Sequence, residues 1–450
     1  MFGYLLLLTA LILFYIPNYR FVSIILYLGF LLGTYGGYNF LTNQVIDNYN
    51  YNLAFIYTVS VLPYVLNNYN IKKYISYNIG QLILYFFVFL LVSSLFSFWY
   101  YDLEWKVIFQ VVHNSFLVLS FLVFLSLTRK ELIKIIRVIA IFTFFGSICY
   151  ILQVLFGLRF LPYPFIPDRD PSTGLMRFYN FPELLSFYLV LSVLDKKFFY
   201  GNYISIYRII FLMAVLLTLG RNFIISNMLG VCLAILIGMP TKKSFQYILF
   251  FSLLFLPFIG VIQDRFTENN ATSNDIQMIF NKDFQDSEHF ADATMAYRFG
   301  WIYERSHYLS GRPFIESVFG LGFVSDLQPI SRSMYKFNLG LLNRDTGERT
   351  QLETPDIAWG TVLSRYGYTG IIFFILFFYT LFINFFKARK LRILYLAAGI
   401  SVLVDLLGTF ANGYYGHPKN FSFYFLLFVL LIKDLRYVYL SKSYCSYSNV

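Results

Sequence analysis

The chain is a succession of apolar runs separated by short polar breaks. Runs of about 20 apolar residues predict transmembrane helices, because the bilayer core demands that length and an internally hydrogen-bonded backbone. We predict an all-α polytopic membrane protein with about 12–13 transmembrane helices, the first run being short for a perpendicular crossing. The predicted spans are 2–16, 21–41, 53–67, 79–99, 107–127, 132–157, 181–195, 202–219, 222–239, 245–262, 357–386, 392–410 and 420–434.

A polar interval at 263–355 interrupts this pattern. It divides the chain into N-terminal spans (1–262), one large and partly helical loop (263–355), and C-terminal spans with a short tail (356–450). Arginines beside a bilayer favour a site for an anionic head group, because guanidinium binds phosphate through two parallel hydrogen bonds. The arginines of the interval are Arg265, Arg298, Arg305, Arg312, Arg332, Arg344 and Arg349.

Composition and charge support a membrane protein. Hydrophobic residues make up 58% of the chain and charged residues 13%. A chain of this composition cannot keep most of its residues in water. Lys and Arg collect in alternate loops, so the positive-inside rule predicts a cytoplasmic C-terminus, with the N-terminus and the polar interval outside. The interval carries 9 Lys and Arg against 13 Asp and Glu, a net −4, while the whole chain is +11. The net positive charge of the chain therefore comes largely from the basic loops on one side of the membrane. We expect no nucleic-acid partner.

The loop at 158–180 is the first place where chemistry could lie. Its four prolines exclude helix and predict a stiff rim. Asp168 and Asp170 have the spacing of a metal-binding carboxylate pair, although an Asp-rich turn is the commoner meaning. Arg177, just before the next helix, either binds substrate or reaches a lipid phosphate by snorkelling. No His, Cys or Asp cluster has metal-ligand spacing, so we predict no metal and no cofactor.

A tight corner at 219–222 joins two predicted spans. Arg221 lies there beside a helix N-terminus, where its guanidinium and the free backbone N–H groups can both receive phosphate oxygens. The alternative is that Arg221 only anchors the depth of the helix.

Within the polar interval, residues 297–310 predict a helix of about four turns that Gly311 ends. Arg298 and Arg305 share one face of it and suit a pyrophosphate, whereas His307 points nearly opposite to Arg298. The alternative for the arginines is an ion pair with an acidic loop residue such as Asp292 or Glu304.

The chain returns to the membrane at Asp356, which stands where a helix N-cap is wanted. Arg365 lies well inside the following span, where a charge costs several kcal/mol unless it is paired. We expect Asp405, on the next span, to be its partner. His113 and His417 are isolated in the sequence.

In this order, the features resemble the O-antigen polymerase and ligase superfamily, membrane enzymes that move lipid-linked glycans on the outer leaflet. Arg177-Phe-Tyr-Asn-Phe-Pro182 is loosely like the family's Arg-x-x-Gly-x-x-x-Pro region, and Gly220-Arg221-Asn-Phe-Ile-Ile is like its Ser-Arg-Thr turn. Arg298-x-x-Trp301 and Gly320-Leu-Gly322 are like the Arg-x-x-Trp and Gly-x-Gly of its long loop. Gly367-Tyr-Thr-Gly370 is like its following Gly-x-x-Gly. The resemblance covers about residues 170–410.

The resemblance implies a GT-C-like glycosyltransferase of the bacterial cytoplasmic membrane that polymerises oligosaccharide repeats on undecaprenyl diphosphate. A growing glycan would move to a sugar hydroxyl of another lipid-linked repeat. Arg221 and Arg298, with Arg305, would stabilise the departing diphosphate. The general base would be Asp356 first and His307 second. The remaining implied substrate contacts are Arg177, Arg312, Trp301 and Tyr297, of which the aromatic pair would stack on sugar rings.

Ligases of this superfamily carry His-Asn near the end of the long loop, where this chain has Pro355-Asp356. That departure favours a polymerase. A ligase-type transferase and a non-enzymatic transporter of lipid-linked glycans remain the alternatives. The resemblance implies a lipid-linked oligosaccharide, membrane lipid, a chain-length regulator and a flippase as partners.

Overall fold

A computed structural model gives the fold of the chain, and its described part is almost entirely helical. The tenth predicted span, 245–262, and the first part of the polar interval, 263–294, lie outside the described residues. The described residues are 2–32, 47–158, 161, 168–169, 174–178, 180–182, 184–199, 203–238, 295–326, 328–340, 349–354, 356–410 and 412–447.

Each predicted span other than 245–262 overlaps at least one α-helix of the described residues, and several of these helices extend beyond the predicted bounds. The α-helices are α1 Phe2–Tyr15, α2 Arg20–Leu32, α3 Asp47–Asn68, α4 Lys72–Ile75, α5 Asn78–Tyr100, α6 Trp105–Val112, α7 Ser120–Phe124, α8 Arg129–Phe156, α9 Leu185–Leu194, α10 Ile204–Leu216, α11 Arg221–Gly238, α12 Met295–Ser310, α13 Phe314–Phe319, α14 Pro329–Met334, α15 Ala358–Lys387, α16 Ile393–Gly408 and α17 Ser422–Tyr447. Strands β1 Asp168–Arg169 and β2 Met176–Arg177 form an antiparallel ladder.

Several of these helices have the length and apolar composition of a membrane span. Among the described residues, 3 meet both conditions, namely α5, α8 and α15 with its continuation to Lys390. A fourth is added when α6 and the bent segment that follows it are taken as one span. The prediction of an all-α membrane-embedded protein is confirmed at this level, and the total number of spans stays a prediction.

Two of the predicted spans are not straight. The span at 107–127 breaks by 46° between α6 and the segment Ser115–Phe124, with His113 and Asn114 at the break. A continuous helix there is wrong, because the chain continues after the break as a 3₁₀ turn at Ser115–Leu119. Helix α15 is kinked at Gly367, whose φ of 64° and ψ of −163° are not helical.

Basic residues hold one end of the bundle together. Asp434 of α17 accepts hydrogen bonds from Arg129 at the start of α8 and from Arg392 before α16. Arg436 donates to the Lys73 carbonyl at 3.0 Å. These residues come from loops that the charge pattern assigns to one side, and the structure gathers them at one end. The compartment that this end faces stays a prediction.

The polar interval packs at the other end of the bundle. Helix α5 runs from the basic end to Tyr100, whose hydroxyl donates to buried Glu316 at 2.9 Å. The neighbouring Tyr101 donates to the Gly320 carbonyl at 3.0 Å. The described part of the interval is therefore fixed directly onto the membrane helices, which gives a site between them a rigid frame.

Candidate functional site

Helix α12 confirms the predicted helix of about four turns in the polar interval. Its 16 residues end at a turn in which the Gly311 N–H donates to the His307 carbonyl at 3.3 Å. The inner face of α12 lies on α15, where Trp301 is fully buried against Gly360. A Cβ at Gly360 would lie 2.5 Å from the indole ring, so only glycine allows this approach. The Arg-x-x-Trp segment is thereby held on the helix that returns to the membrane.

The Arg305 side chain is fully buried and binds other residues of the protein. Its guanidinium lies 3.7 Å from the Trp301 ring centroid and 4.3 Å from that of Phe337. It pairs with Glu304 at 2.6 Å and donates to the Gln351 carbonyl at 3.0 Å, with no exposed surface. Burial lowers its pKa, and the Glu304 charge opposes that change. This geometry favours the ion-pair alternative for Arg305, whose role in substrate binding stays a prediction.

Two carboxylates organise the loop around Arg305, namely Glu304, which the sequence offers as an ion-pair partner, and Asp326, which it does not single out. Glu304 accepts the N–H groups of Asn338 and Leu339 at 2.6 and 3.1 Å. Asp326 accepts three consecutive N–H groups, from Gln351 through Glu353, at 2.7 to 3.2 Å. Burial raises the pKa of Asp326, while these amide donors act in the opposite direction. The donors lie 25 to 27 residues away in the chain, so no local spacing could have revealed them.

Three of the predicted site residues converge near the start of α12, although they come from distant parts of the sequence. The charges of Asp356 and Arg177 both act on half-buried Arg298. Burial lowers the pKa of Arg298, Asp356 opposes that change, and Arg177 adds to it. We call Arg177, Arg298 and Asp356 the arginine–aspartate cluster. With two guanidinium groups for one carboxylate, the cluster favours an oxyanion ligand.

The segment that carries Arg177 is anchored to the corner before α11. The hydroxyl of fully buried Tyr150 donates to the Phe178 carbonyl at 2.9 Å and reaches the Leu217 carbonyl at 3.4 Å. One side chain thus fixes the residue after Arg177 to the end of the preceding span.

Arg221 is the first residue of α11, as the tight corner predicts, and its side chain lies outside the described residues. The rings of Phe181 and Phe223 meet across this corner with centroids 4.6 Å apart. The backbone of the corner is therefore packed directly against the segment that follows Arg177. This proximity is what a shared anion site would need.

The structure corrects the expected role of Asp356 as a helix cap. The N-cap of α15 is Ile357, which makes no side-chain cap hydrogen bond, and the helix begins at Ala358. Asp356 is one residue too early, and its N–H donates to the Thr354 hydroxyl at 3.2 Å. Its carboxylate interacts with Arg298 instead.

The expected pair of Arg365 with Asp405 is wrong. Arg365 forms an ion pair with Glu353, because the amide contacts of Asp326 bring that segment over α15. Asp405 accepts hydrogen bonds from Tyr415, at 2.5 Å, and from Tyr424. The buried charge of Arg365 is thus compensated from the loop and not from the next span.

Other predicted site residues do not join the cluster. His307 is exposed and stacks on Tyr303 with ring centroids 5.9 Å apart. It lies nine residues beyond Arg298, about 14 Å along the helix at 1.5 Å per residue. Arg312 lies past the helix end, is exposed, and donates to the Tyr308 hydroxyl. We therefore place neither His307 nor Arg312 beside Arg298.

The aromatic candidates are inside the protein. Tyr297 is 1% exposed and Trp301 is fully buried, so neither presents a ring face to a sugar in this conformation. Among the described residues, no three His, Cys, Asp or Glu side chains come together as a metal site would require. A comparison with protein-family models and a comparison with curated proteins both give no match to the chain.

Proposed function

We propose that this protein is a polymerase of lipid-linked oligosaccharide repeats, as the resemblance of its motifs implies. The observation that carries the proposal is the electrostatic interaction of Arg298, on the first turn of α12, with both Asp356 and Arg177. A diphosphate on a lipid carrier is an anion that stays at a membrane surface. Two arginines with one carboxylate provide the charge that such a group needs.

The reaction requires one bond to form and one to break. A hydroxyl oxygen of the acceptor sugar bonds to the anomeric carbon of the donor glycan, and the bond from that carbon to the undecaprenyl diphosphate oxygen breaks. Negative charge grows on the leaving diphosphate, where Arg298 and Arg177 would stabilise it, with Arg221 reaching from the adjacent corner. The hydroxyl proton goes to a general base.

Asp356 suits the role of base better than His307. It interacts with Arg298, so it lies beside the proposed diphosphate site. His307 lies farther along α12 and is stacked on Tyr303. A base must come within hydrogen-bond reach of the hydroxyl that attacks, and of the two candidates only Asp356 interacts with an arginine that would hold the donor.

A transporter of lipid-linked glycans is the second candidate function. The break at His113 and Asn114 and the kink at Gly367 favour it, because transporters build binding sites from interrupted helices. In that case the arginines would bind the diphosphate and no bond would change. A ligase-type transferase would use the same site with a different acceptor.

The test is a reconstitution of the purified full chain in proteoliposomes with lipid-linked repeat units as the sole glycan. A polymerase lengthens the glycan into a ladder on gel electrophoresis. A transporter moves label across the bilayer and leaves single repeats, and a ligase-type transferase extends only a separate acceptor. Absence of a ladder from folded, correctly inserted protein would overturn the polymerase proposal.

A further inference from the structure

A second polar group is buried beside the first half of α15, apart from the arginine–aspartate cluster. Its members are His113 and Asn114 at the break after α6, Arg365 of α15, and His417 before α17. The hydroxyls of Ser115 and Tyr366, the residues that follow Asn114 and Arg365, lie 2.6 Å apart. The positive charges of Arg365 and Lys419 act on both histidines. Although the two histidines are isolated in the sequence, the fold unites them. We call His113, Asn114, Arg365 and His417 the inner polar cluster.

Backbone packing explains why the cluster forms. The Ser115 and Tyr366 hydroxyls share a hydrogen bond of 2.6 Å, which fixes the break after α6 against α15. On the other side, a Cβ at Gly416 would lie 3.1 Å from Thr361 Cβ, so the turn before His417 lies directly on the same helix. Helix α15 is thus the common support for all members.

Each member of the cluster has a buried polar atom that makes no hydrogen bond with the described residues. These atoms are His113 Nε2, Asn114 Oδ1, Arg365 Nε and His417 Nδ1. His113, Asn114 and Arg365 are only 4%, 7% and 4% exposed. A buried polar group without a partner is costly, so several in one place indicate a ligand.

The hydrogen-bond chemistry identifies the class of that ligand. His113 Nδ1 lies 2.8 Å from the Phe109 carbonyl, which can only accept, so Nδ1 carries the proton. In the neutral ring, Nε2 is then an acceptor and needs a donor, whereas Arg365 Nε is a donor and needs an acceptor. An oxyanion cannot donate and would leave His113 unsatisfied. Hydroxyl groups both donate and accept, so a ligand that carries several of them can donate to His113 and accept from Arg365.

The two clusters are neighbours. Glu353 forms the ion pair with Arg365, and Asp356 of the arginine–aspartate cluster follows three residues later. Three extended residues span at most about 11 Å. One short segment therefore links the two clusters, and a ligand that extends along it from Arg298 would reach Arg365.

We infer that the inner polar cluster is a sugar-binding pocket, in which His113 Nε2 accepts a hydrogen bond from a glycan hydroxyl of the lipid-linked substrate. This inference rests on the proposed function for the origin of the ligand. A sugar and an ordered water can both supply the neutral hydroxyl that His113 needs, and the experiment separates these two sources.

The test compares two probes on the purified full chain in detergent: the lipid-linked glycan extracted from cells that lack this chain, and bare undecaprenyl diphosphate. The variants are His113→Phe, which keeps aromatic packing against Phe55 and Phe109, and Asn114→Ala. The Asn114 side chain makes no cap hydrogen bond, so this change gives a second variant with little cost to folding. Affinity is measured by titration.

We expect about tenfold weaker binding of the lipid-linked glycan by each variant and unchanged binding of bare undecaprenyl diphosphate. Unchanged affinity for both probes would mean that the pocket holds water only, and an equal loss for both would mean that it does not recognise the sugar. Either outcome overturns the inference. The proposed function fails separately, if Arg298→Ala binds bare undecaprenyl diphosphate as well as the wild type does.

Discussion

The backbones of Gly320 and Gly367 are in direct contact. A Cβ on Gly320 would lie 2.6 Å from the Gly367 nitrogen, and one on Gly367 would lie 2.7 Å from the Gly320 nitrogen. Both residues have positive φ, 80° and 64°. Next to them, the Leu321 N–H donates to the Ser364 carbonyl at 2.7 Å, which leaves the kink in α15 hydrogen-bonded to the loop. Two glycine motifs that are separate in the sequence therefore form one junction between the polar interval and the membrane.

Gly367→Ala should unfold this junction. The added methyl group meets backbone atoms at 2.5 to 2.7 Å and imposes a left-handed conformation on a residue with a side chain. We expect a loss of about 2–5 kcal/mol, from overpacking together with backbone strain. Thermal unfolding in detergent measures it. Gly408→Ala is the matched control, since nothing lies within 4 Å of its Cβ position, and an equal loss there would refute the junction.

Arg305 and Arg298 should respond differently to removal of the side chain. Arg305→Ala leaves Glu304 and two backbone carbonyls without their donor, and we expect it to destabilise the fold by about 3–5 kcal/mol. Arg298→Ala should keep the melting temperature within a few degrees and strongly slow glycan lengthening. Melting curves and product ladders from the same preparations would show this contrast, and a fully stable Arg305→Ala would contradict the structural role.

The Arg365 and Glu353 pair should show coupling in a double-mutant cycle. Glu353→Gln alone leaves a buried guanidinium without its counter-charge, which should cost roughly 1–3 kcal/mol. Arg365→Met together with Glu353→Gln should cost less than the sum of the single changes, because neither charge then remains buried alone. Additive losses of stability in thermal unfolding would show that Arg365 and Glu353 do not interact, which would contradict the ion pair. Asp405→Asn is the comparison, since we expect it to show no coupling with Arg365.

Tyr150→Phe should affect the position of Arg177 more than the stability of the fold. The change removes the hydroxyl that donates to the Phe178 carbonyl and retains the buried ring. We expect a stability loss of about 1 kcal/mol and a higher KM for lipid-linked repeats with a smaller change in kcat. A fall in kcat at constant KM would contradict a positioning role.

Apolar runs and helix-end signals predict where the long helices of the described residues lie. They located α12 and its end at Gly311, and the charge pattern grouped the loops that the structure gathers at the basic end. They failed where distant residues meet. Nothing near Arg365 in sequence indicates Glu353, because their pairing depends on amides that Asp326 holds from another part of the loop. The break at His113 was missed for a similar reason, since apolar composition does not distinguish a bent span from a straight one.

Glycan length in the reconstituted reaction tests the central claim most directly, with wild type, Arg298→Ala and Lys336→Ala compared at equal amounts of inserted protein. Lys336 is an exposed cation of the same loop and serves as the control. We predict that Arg298→Ala slows lengthening by roughly 10²–10³-fold, because the variant lacks a positive charge beside the leaving diphosphate, while Lys336→Ala makes normal polymer. Undiminished polymer from Arg298→Ala would contradict the assignment of the arginine–aspartate cluster as the site of reaction.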